Sequence, residues 1–245
     1  RRRIASYNTN GITSRLHVLL RWLKEFEPDI VGLQELKCAD EAFPARDIEA
    51  LGYSCIWHGQ RSWNGVALLS RVGDPVETGR GLPGDPDDAQ SRYIEAAVCG
   101  LLIGNLYLPN GNPWPGPKFN YKLAWMDRLF AHAQHLLDSG LPAMLMGDFN
   151  VIPTEQDVYK PERWAKDALF SPEARAKFRE LVAQGWTDAI RTLYPDERIY
   201  TFWHYWRNSF QRDAGIRIDH FLLSPPLAMA LKAGGVDRTP RGWEK

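Results

Sequence analysis

The sequence predicts a mixed-sheet α/β protein built in layers. Three observations carry this. Short apolar runs of strand length alternate with helix-length amphipathic segments along the whole chain. Several neighbouring strand segments are joined closely enough to form hairpins, which places antiparallel pairs beside parallel ones. No internal repeat, low-complexity tract or linker divides the 245 residues, so one large domain is expected.

The elements follow in order. Residues 3–8 alternate loosely and read as a strand. Thr13 or Ser14 then caps a helix whose apolar positions, Leu16, Leu19, Leu20, Leu23 and Phe26, recur at helical spacing. Pro28 stops that helix. Residues 29–35 are mostly apolar and end in a carboxylate, which reads as a buried strand. A short helix is expected over 44–51. Residues 53–58 and 66–71 read as strands, with the turn-prone Asn64-Gly65 just before the second. Residues 72–90, rich in Gly, Pro and Asp, read as a long loop. Residues 93–98 and 101–108 form an antiparallel pair around Gly100, and a Pro/Gly loop over 109–117 carries Trp114. Residues 118–138 form a long amphipathic helix, ended by Gly140 and Pro142. Residues 143–148 are another buried strand ending in a carboxylate. Ser171-Pro172-Glu173 starts a helix with a cap, a first-turn proline and an early acid, and Gly185 ends it. Residues 200–205 and 217–223 read as late strands.

Composition narrows the function. Apolar residues are 44% and charged residues 24%, the profile of a soluble globular chain and not of a disordered or collagen-like one. Thirty Lys and Arg balance thirty Asp and Glu. That excludes a strongly basic nucleic-acid clamp for the whole chain and leaves room for a local basic face. The cysteines, Cys38, Cys55 and Cys99, are odd in number and far apart. They argue against a disulfide framework and for a reducing, cytoplasmic setting. No apolar run approaches the roughly 18 residues of a membrane span. Arg1-Arg2-Arg3-Ile4 is followed by no apolar stretch, so no secretory signal is expected, and the absence of an initial Met suggests a processed or trimmed chain.

Oxygen-bearing side chains gather at strand ends: Asn8 and Asn10 after the first, Glu35 after the second, Asp148 and Asn150 after the sixth, with Asp219 in a late strand. Singly, each is explained by capping and turn formation. Together they can converge on one sheet edge. An oxygen donor set without Cys and with few His favours a hard cation, Mg²⁺ or Mn²⁺. A hard cation held by one or two carboxylates suits phosphate-ester chemistry.

The motifs are specific in combination. Asn8-Thr-Asn-Gly11, Leu33-Gln-Glu-Leu-Lys37, Tyr107-Leu-Pro-Asn-Gly111, Gly147-Asp-Phe-Asn150 and Arg217-Ile-Asp-His220 occur in this order. With them the chain resembles the exonuclease III type of abasic-site endonuclease, within the endonuclease/exonuclease/phosphatase superfamily. The likeness runs from residue 3 to about residue 243. It is strongest to the bacterial form, through Gly59-Gln60, Asn64-Gly65-Val66-Ala67 and Gly215-Ile-Arg-Ile-Asp-His220.

The resemblance implies a four-layer α/β sandwich, two mixed sheets face to face with helices outside. It implies that Glu35 holds the divalent metal, with Asn8 and Asn10 in the metal and water shell. Tyr107 would bond the scissile phosphate or its neighbours. Asp148 would position or deprotonate the attacking water, or protonate the leaving oxygen. Asn150 would donate to the phosphate, and Asp219 would orient a catalytic His. Asn110, Arg92 and Lys118 match positions that contact the DNA backbone. Phe202, with Ile216 and Ile218, would line a pocket that admits an abasic deoxyribose and excludes a normal nucleotide by size. Trp114 and Trp206 lie on expected loops, and one of them is expected to wedge into the duplex beside the lesion.

Two departures shape the expectation. The family closes on a strand carrying Ser-Asp-His-Ala-Pro, and this sequence stops at Arg241-Gly-Trp-Glu-Lys245 before it. His220 does not replace that His, because it neighbours Asp219 on a strand and points to the opposite face; it is read as structural. His204 stands where bacterial relatives usually have Asp, and is read as a surface residue. The expectation is a single domain over 1–245 lacking the final strand. Its activity would be metal-dependent DNA hydrolysis by a monomer, incising 5′ to abasic sites and trimming 3′ ends. The alternatives are a catalytically impaired DNA-binding form, or a phosphoesterase acting on a lipid or inositol phosphate.

Overall fold

The computed structural model describes residues 2–202 and 213–235, which fall into two compact units. The first comprises residues 2–107 and 141–147, the second 108–140 and 148–235.

The first unit holds β1 (Ile4–Asn8), α1 (Leu16–Phe26), β2 (Ile30–Gln34), α2 (Ala45–Glu49), β3 (Ser54–His58), β4 (Val66–Ser70), β5 (Val76–Arg80), β6 (Tyr93–Val98), β7 (Leu101–Tyr107) and β8 (Ala143–Asp148) up to Gly147. One sheet has the order β1-β2-β4-β3 and is mixed: β1 and β2 are parallel, the other pairs antiparallel. The other runs β5-β6-β7-β8 within this unit. The two sheets pack face to face through β2 and β4 on one side and β6 and β7 on the other. Strand alternation divides the labour of β2. Val31 and Leu33 join Leu19, Trp22 and Leu23 of α1 in one apolar cluster, so Ile30, Gly32 and Gln34 face the second sheet. Burying each of those large side chains contributes about 1.5–3 kcal/mol.

Local chemistry explains the joints. Cys99 (φ 49°) and Gly100 (φ 79°) make the tight turn between β6 and β7, the geometry a two-residue hairpin requires. Glu27, left-handed at φ 53°, ends α1 just before Pro28. The helix begins at Arg15 rather than being capped by Thr13 or Ser14. The Ser14 hydroxyl donates instead to Gly11 O at 3.2 Å and closes the preceding turn. The expected loop over 72–90 contains β5, an exposed strand with a bulge between Glu77 and Gly79.

The second unit holds α3 (Pro117–Asp138), α4 (Pro172–Ala183), β9 (Thr187–Asp188), α5 (Ala189–Leu193), β10 (Asp219–Leu223) and α6 (Pro225–Ala228). Helices α3 and α4 pack on each other, and β9 pairs antiparallel with β10. Ser171 caps α4 as its sequence predicts, its hydroxyl accepting Ala174 N–H at 3.2 Å. The expected strand over 200–205 reduces, in its described part, to a bridge between Phe202 and Ile216. Residues 203–205, His204 among them, lie outside the described residues, as do Trp206 and 241–245.

Candidate active site

In the first unit the parallel register pairs Asn8 with Gln34, so the ends of β1 and β2 come together. Glu35 follows directly. Its Oε2 accepts Asn8 Nδ2–H at 2.8 Å, and Asn8 Oδ1 accepts the Asn10 backbone N–H at 2.9 Å. Lys37 Nζ donates to Asn10 Oδ1 at 2.9 Å and lies 3.2 Å from Glu35 Oε1. Asn10, Glu35 and Lys37 all have left-handed backbones, φ 45°, 56° and 54°. Such conformations cost a non-glycine residue on the order of 1 kcal/mol or more and persist where the surroundings impose them. Here they are imposed: Gly11 N–H and the Thr9 hydroxyl both donate to Glu35 O, Leu36 N–H to Gly65 O and Lys37 N–H to Asn64 O. A half-buried carboxylate and two amide oxygens are thus held together on strained backbone, with an ammonium ion resting on them.

Tyr107 ends β7 and is braced by Arg92. Tyr107 N–H donates to Arg92 O at 2.8 Å, Arg92 Nη1 donates to Tyr107 O at 3.1 Å, and the guanidinium lies 5.1 Å from the Tyr107 ring centre.

In the second unit Asp148 Oδ1 accepts Asn150 N–H at 3.0 Å, and Asn150 Nδ2 donates to Leu108 O at 2.7 Å. Both residues are buried, and Asn150 is again left-handed, φ 47°. Phe149 N–H donates to Ile218 O, which lays the Asp148 turn against the start of β10. The Asp219 carboxyl is pushed well above the usual carboxylate range by burial and by the Asp148 charge, against a lowering bond from Thr201. Two carboxyls that perturb one another suit proton handling.

His220 is structural, as its alternation predicts. It is fully buried, with Nδ1 3.1 Å from Arg217 Nη1 and Nε2 2.9 Å from Val151 O. Burial and then the Arg217 charge push its pKa down to about 4.

Phe202, Ile216 and Ile218 do come together, in an apolar cluster with Ile152, Val158, Leu169, Phe170 and Trp164. Trp164 had no signal in the sequence beyond being aromatic. Trp114 is half-buried and packs on Phe119 with ring centres 5.3 Å apart. Asn110 and Lys118 are exposed, Lys118 in the first turn of α3. A cation there opposes the helix dipole. Trp206 lies outside the described residues.

Lys122 was not singled out by its sequence. It is fully buried, and its Nζ donates to Asn110 O at 3.1 Å and Asn150 O at 2.5 Å. Asn112 was missed as well. It ties the 109–117 loop down, through Nδ2 to Asp167 Oδ1 and Oδ1 from Ala168 N–H.

Among the described residues no three His, Cys, Asp or Glu side chains gather as a metal-binding group. A site with one carboxylate and amide oxygens is of a different kind. Such a donor set would leave most of an ion's coordination to water. No helix among the described residues is long and apolar enough to cross a membrane.

The chain is similar to several known proteins over nearly its whole length. The Endonuclease/Exonuclease/phosphatase family model matches residues 5–239. Exodeoxyribonuclease III of Haemophilus influenzae is 36% identical over 255 residues, covering 98% of this chain and 94% of that protein. The solved AP endonuclease of Archaeoglobus fulgidus superposes with a TM-score of 0.95 at 36% identity, covering 100% of this chain and 95% of its own. The 3′ phosphatase NExo from Neisseria, solved bound to a product DNA hairpin, gives 0.95 at 38% identity, covering 100% and 95%. The fold is accordingly the α/β sandwich of two mixed sheets with helices. By a match that spans nearly its whole length, the chain belongs to the Endonuclease/Exonuclease/phosphatase family.

Proposed function

We propose that this protein is a DNA repair nuclease that hydrolyses phosphodiesters with a divalent metal ion, cutting 5′ to abasic sites and trimming 3′ ends. The observation that carries the reading is the constellation of Glu35, Asn8 and Asn10 at the ends of β1 and β2, with Glu35 and Asn10 on strained backbone.

These residues fit a divalent metal. Their donors are hard oxygens, and the Lys37 ammonium on Glu35 and Asn10 shows that the cluster attracts positive charge. Glu35 would hold the ion, with Asn8 and Asn10 orienting its water shell; Mg²⁺ or Mn²⁺ suits this set. Bound there, the ion would supply Lewis-acid stabilisation of charge building on the phosphoryl oxygens.

The protein's own groups do the rest. Tyr107, fixed by Arg92, would donate its phenol O–H to the phosphate. Asn150 carries two amide N–H donors and Leu108 O takes one, so the other would serve the phosphate. Asp148 would manage the proton of the attacking water or of the leaving oxygen, and Asp219 would tune it. Asn110, Lys118 and Arg92 would contact the DNA backbone, with Trp114 or Trp206 wedging beside the lesion. Phe202, Ile216 and Ile218 would receive the base-free sugar, which needs no base to be unstacked. The uncombined Cys38, Cys55 and Cys99 support a cytoplasmic setting. Relatives named for DNA chemistry favour DNA over a lipid or inositol phosphate.

The test offers the 245-residue chain, with Mg²⁺, a duplex carrying one abasic analogue and, separately, soluble inositol phosphates. The expected result is a cut 5′ to the analogue and no phosphate release from the inositols. Phosphate release with intact DNA would overturn the reading.

A further inference from the structure

Gln34 and Asn105 meet between the two sheets of the first unit, and both are fully buried. Gln34 is the last residue of β2, one before Glu35. Asn105 lies two before Tyr107 on β7, hence on the same face of the strand. Gln34 Nε2 donates to Asn105 Oδ1 at 2.8 Å and to Gly32 O at 3.2 Å. Asn105 Nδ2 donates to Leu33 O at 2.9 Å and Ala67 O at 2.8 Å. Backbone carbonyls only accept, so Gly32, Leu33 and Ala67 fix which way round both amides lie. The bridge therefore binds β7 to β2 and β4 at once. Residue 32 makes room for it: a Cβ there would stand 2.8 Å from Asn105 Cγ and Oδ1.

This is an expensive way to fill a sandwich core. Gln34 Oε1 accepts no hydrogen bond among the described residues although it is buried, and an unsatisfied buried acceptor is destabilising. Apolar side chains of similar volume would serve stability as well or better. They would not fix the relative position of two strands, because apolar contact is non-directional. The two strands so fixed carry Glu35 and Tyr107 at their ends.

We propose that Gln34 and Asn105 are a positioning pair, a polar bridge between the sheets that holds Glu35 in metal-binding geometry and Tyr107 in register with it. This rests on the assignment of Glu35 as the metal ligand. Neither residue touches the ion. Both act as the supporting partners that orient a ligand, whose loss typically lowers metal affinity by roughly 10–100-fold.

The experiment is Mn²⁺ titration of the DNA-free chain, with free and bound ion distinguished by electron paramagnetic resonance, alongside thermal unfolding. The first variant is the double replacement Gln34→Met with Asn105→Leu, which leaves no side-chain amide unpaired in the core. It is expected to melt at or above the wild-type temperature while binding Mn²⁺ roughly 10–100-fold more weakly. Incision should return at high metal concentration, with the metal requirement raised and kcat little changed. The second variant, Gly32→Ala, keeps both amides and displaces Asn105 by contact; the same weakening is expected. Wild-type affinity in either variant, while Glu35→Gln loses binding, would overturn the positioning role and leave the metal assignment standing. Wild-type binding that Glu35→Gln leaves unchanged would overturn both.

Discussion

Arg217 grips Asp188 with two parallel hydrogen bonds, Nη1 to Oδ1 at 3.1 Å and Nη2 to Oδ2 at 3.0 Å. Its Nε donates to Asp157 Oδ1 at 2.7 Å, and 1% of the Arg217 side chain is exposed. The arginine thus joins β9 to the turn at Asp157 immediately before Ile218 and Asp219. Removing the arginine leaves Asp188 without its paired cation and Asp157 with a weaker one. Arg217→Met is expected to destabilise the fold by about 3–5 kcal/mol, nearer the lower figure because Arg191 still reaches Asp157. Urea unfolding measures it, and a loss below about 1 kcal/mol would contradict the account.

His220 makes stability depend on pH. Its folded pKa is about 4, below the usual 6.5, because burial and Arg217 disfavour the imidazolium. A depressed pKa means that the folded state binds fewer protons than the unfolded one. The contribution is therefore complete above pH 6.5 and is lost as pH falls toward 4, by roughly 3 kcal/mol over that range. Asp157, held below the usual carboxylate range because Arg217 more than offsets its burial, adds a loss in the same direction at lower pH. In Asp219→Asn, which removes the carboxyl whose raised pKa works in the opposite direction, urea midpoints measured from pH 7 to pH 4 should fall accordingly. A midpoint flat from pH 6.5 to 4.5 in that variant would be inconsistent with a neutral buried imidazole.

Asp219 should show the opposite balance. Its carboxyl is raised by burial and by repulsion from Asp148, so it costs the fold stability as pH rises through its folded pKa. Asp219→Asn removes that repulsion and is expected to raise Tm by roughly 2–4 °C. Incision should fall by on the order of 10²-fold as proton handling is impaired. A variant that melts lower, or cuts at the wild-type rate, would separate Asp219 from the role given to it.

Lys122 supports two candidate site residues from beneath, through Asn110 O and Asn150 O. Lys122→Met keeps most of the volume and removes the donors. It is expected to cost about 1–3 kcal/mol of stability, since the buried Asn150 carbonyl and the Asn110 carbonyl lose a charged partner, and to lower incision about tenfold or more through misplacement of Asn150. Steady-state kinetics beside thermal unfolding checks both; unchanged kinetics would reduce Lys122 to a purely structural residue.

Much of this was legible because it is local. The apolar run of β2, the Ser171-Pro172 start of α4 and the Asn64-Gly65 turn each announce themselves within a few residues. The oxygen side chains at strand ends were visible for the same reason. What escaped depends on distance along the chain. Gln34 and Asn105 lie 71 residues apart and neither looks unusual alone. Lys122 reads as one more polar position on an amphipathic helix until its carbonyl partners, 12 and 28 residues away, are placed above it. β5 escaped because Val76-Glu-Thr-Gly-Arg80 is exposed along its length and has no buried face to imprint a period. Alternation did separate His220 from Asp219, because side-chain direction in a strand is itself local.

The roles proposed for Glu35 and Asp148 require that each contribute to metal-dependent hydrolysis of DNA. Single-turnover incision of a duplex with one abasic analogue measures this, in Mg²⁺ and in EDTA, for wild type, Glu35→Gln and Asp148→Asn. Wild type is expected to cut 5′ to the analogue in Mg²⁺ alone, and each variant to be slower by on the order of 10²–10⁴-fold. Cutting that persists in EDTA, or variants as fast as wild type, would contradict those roles.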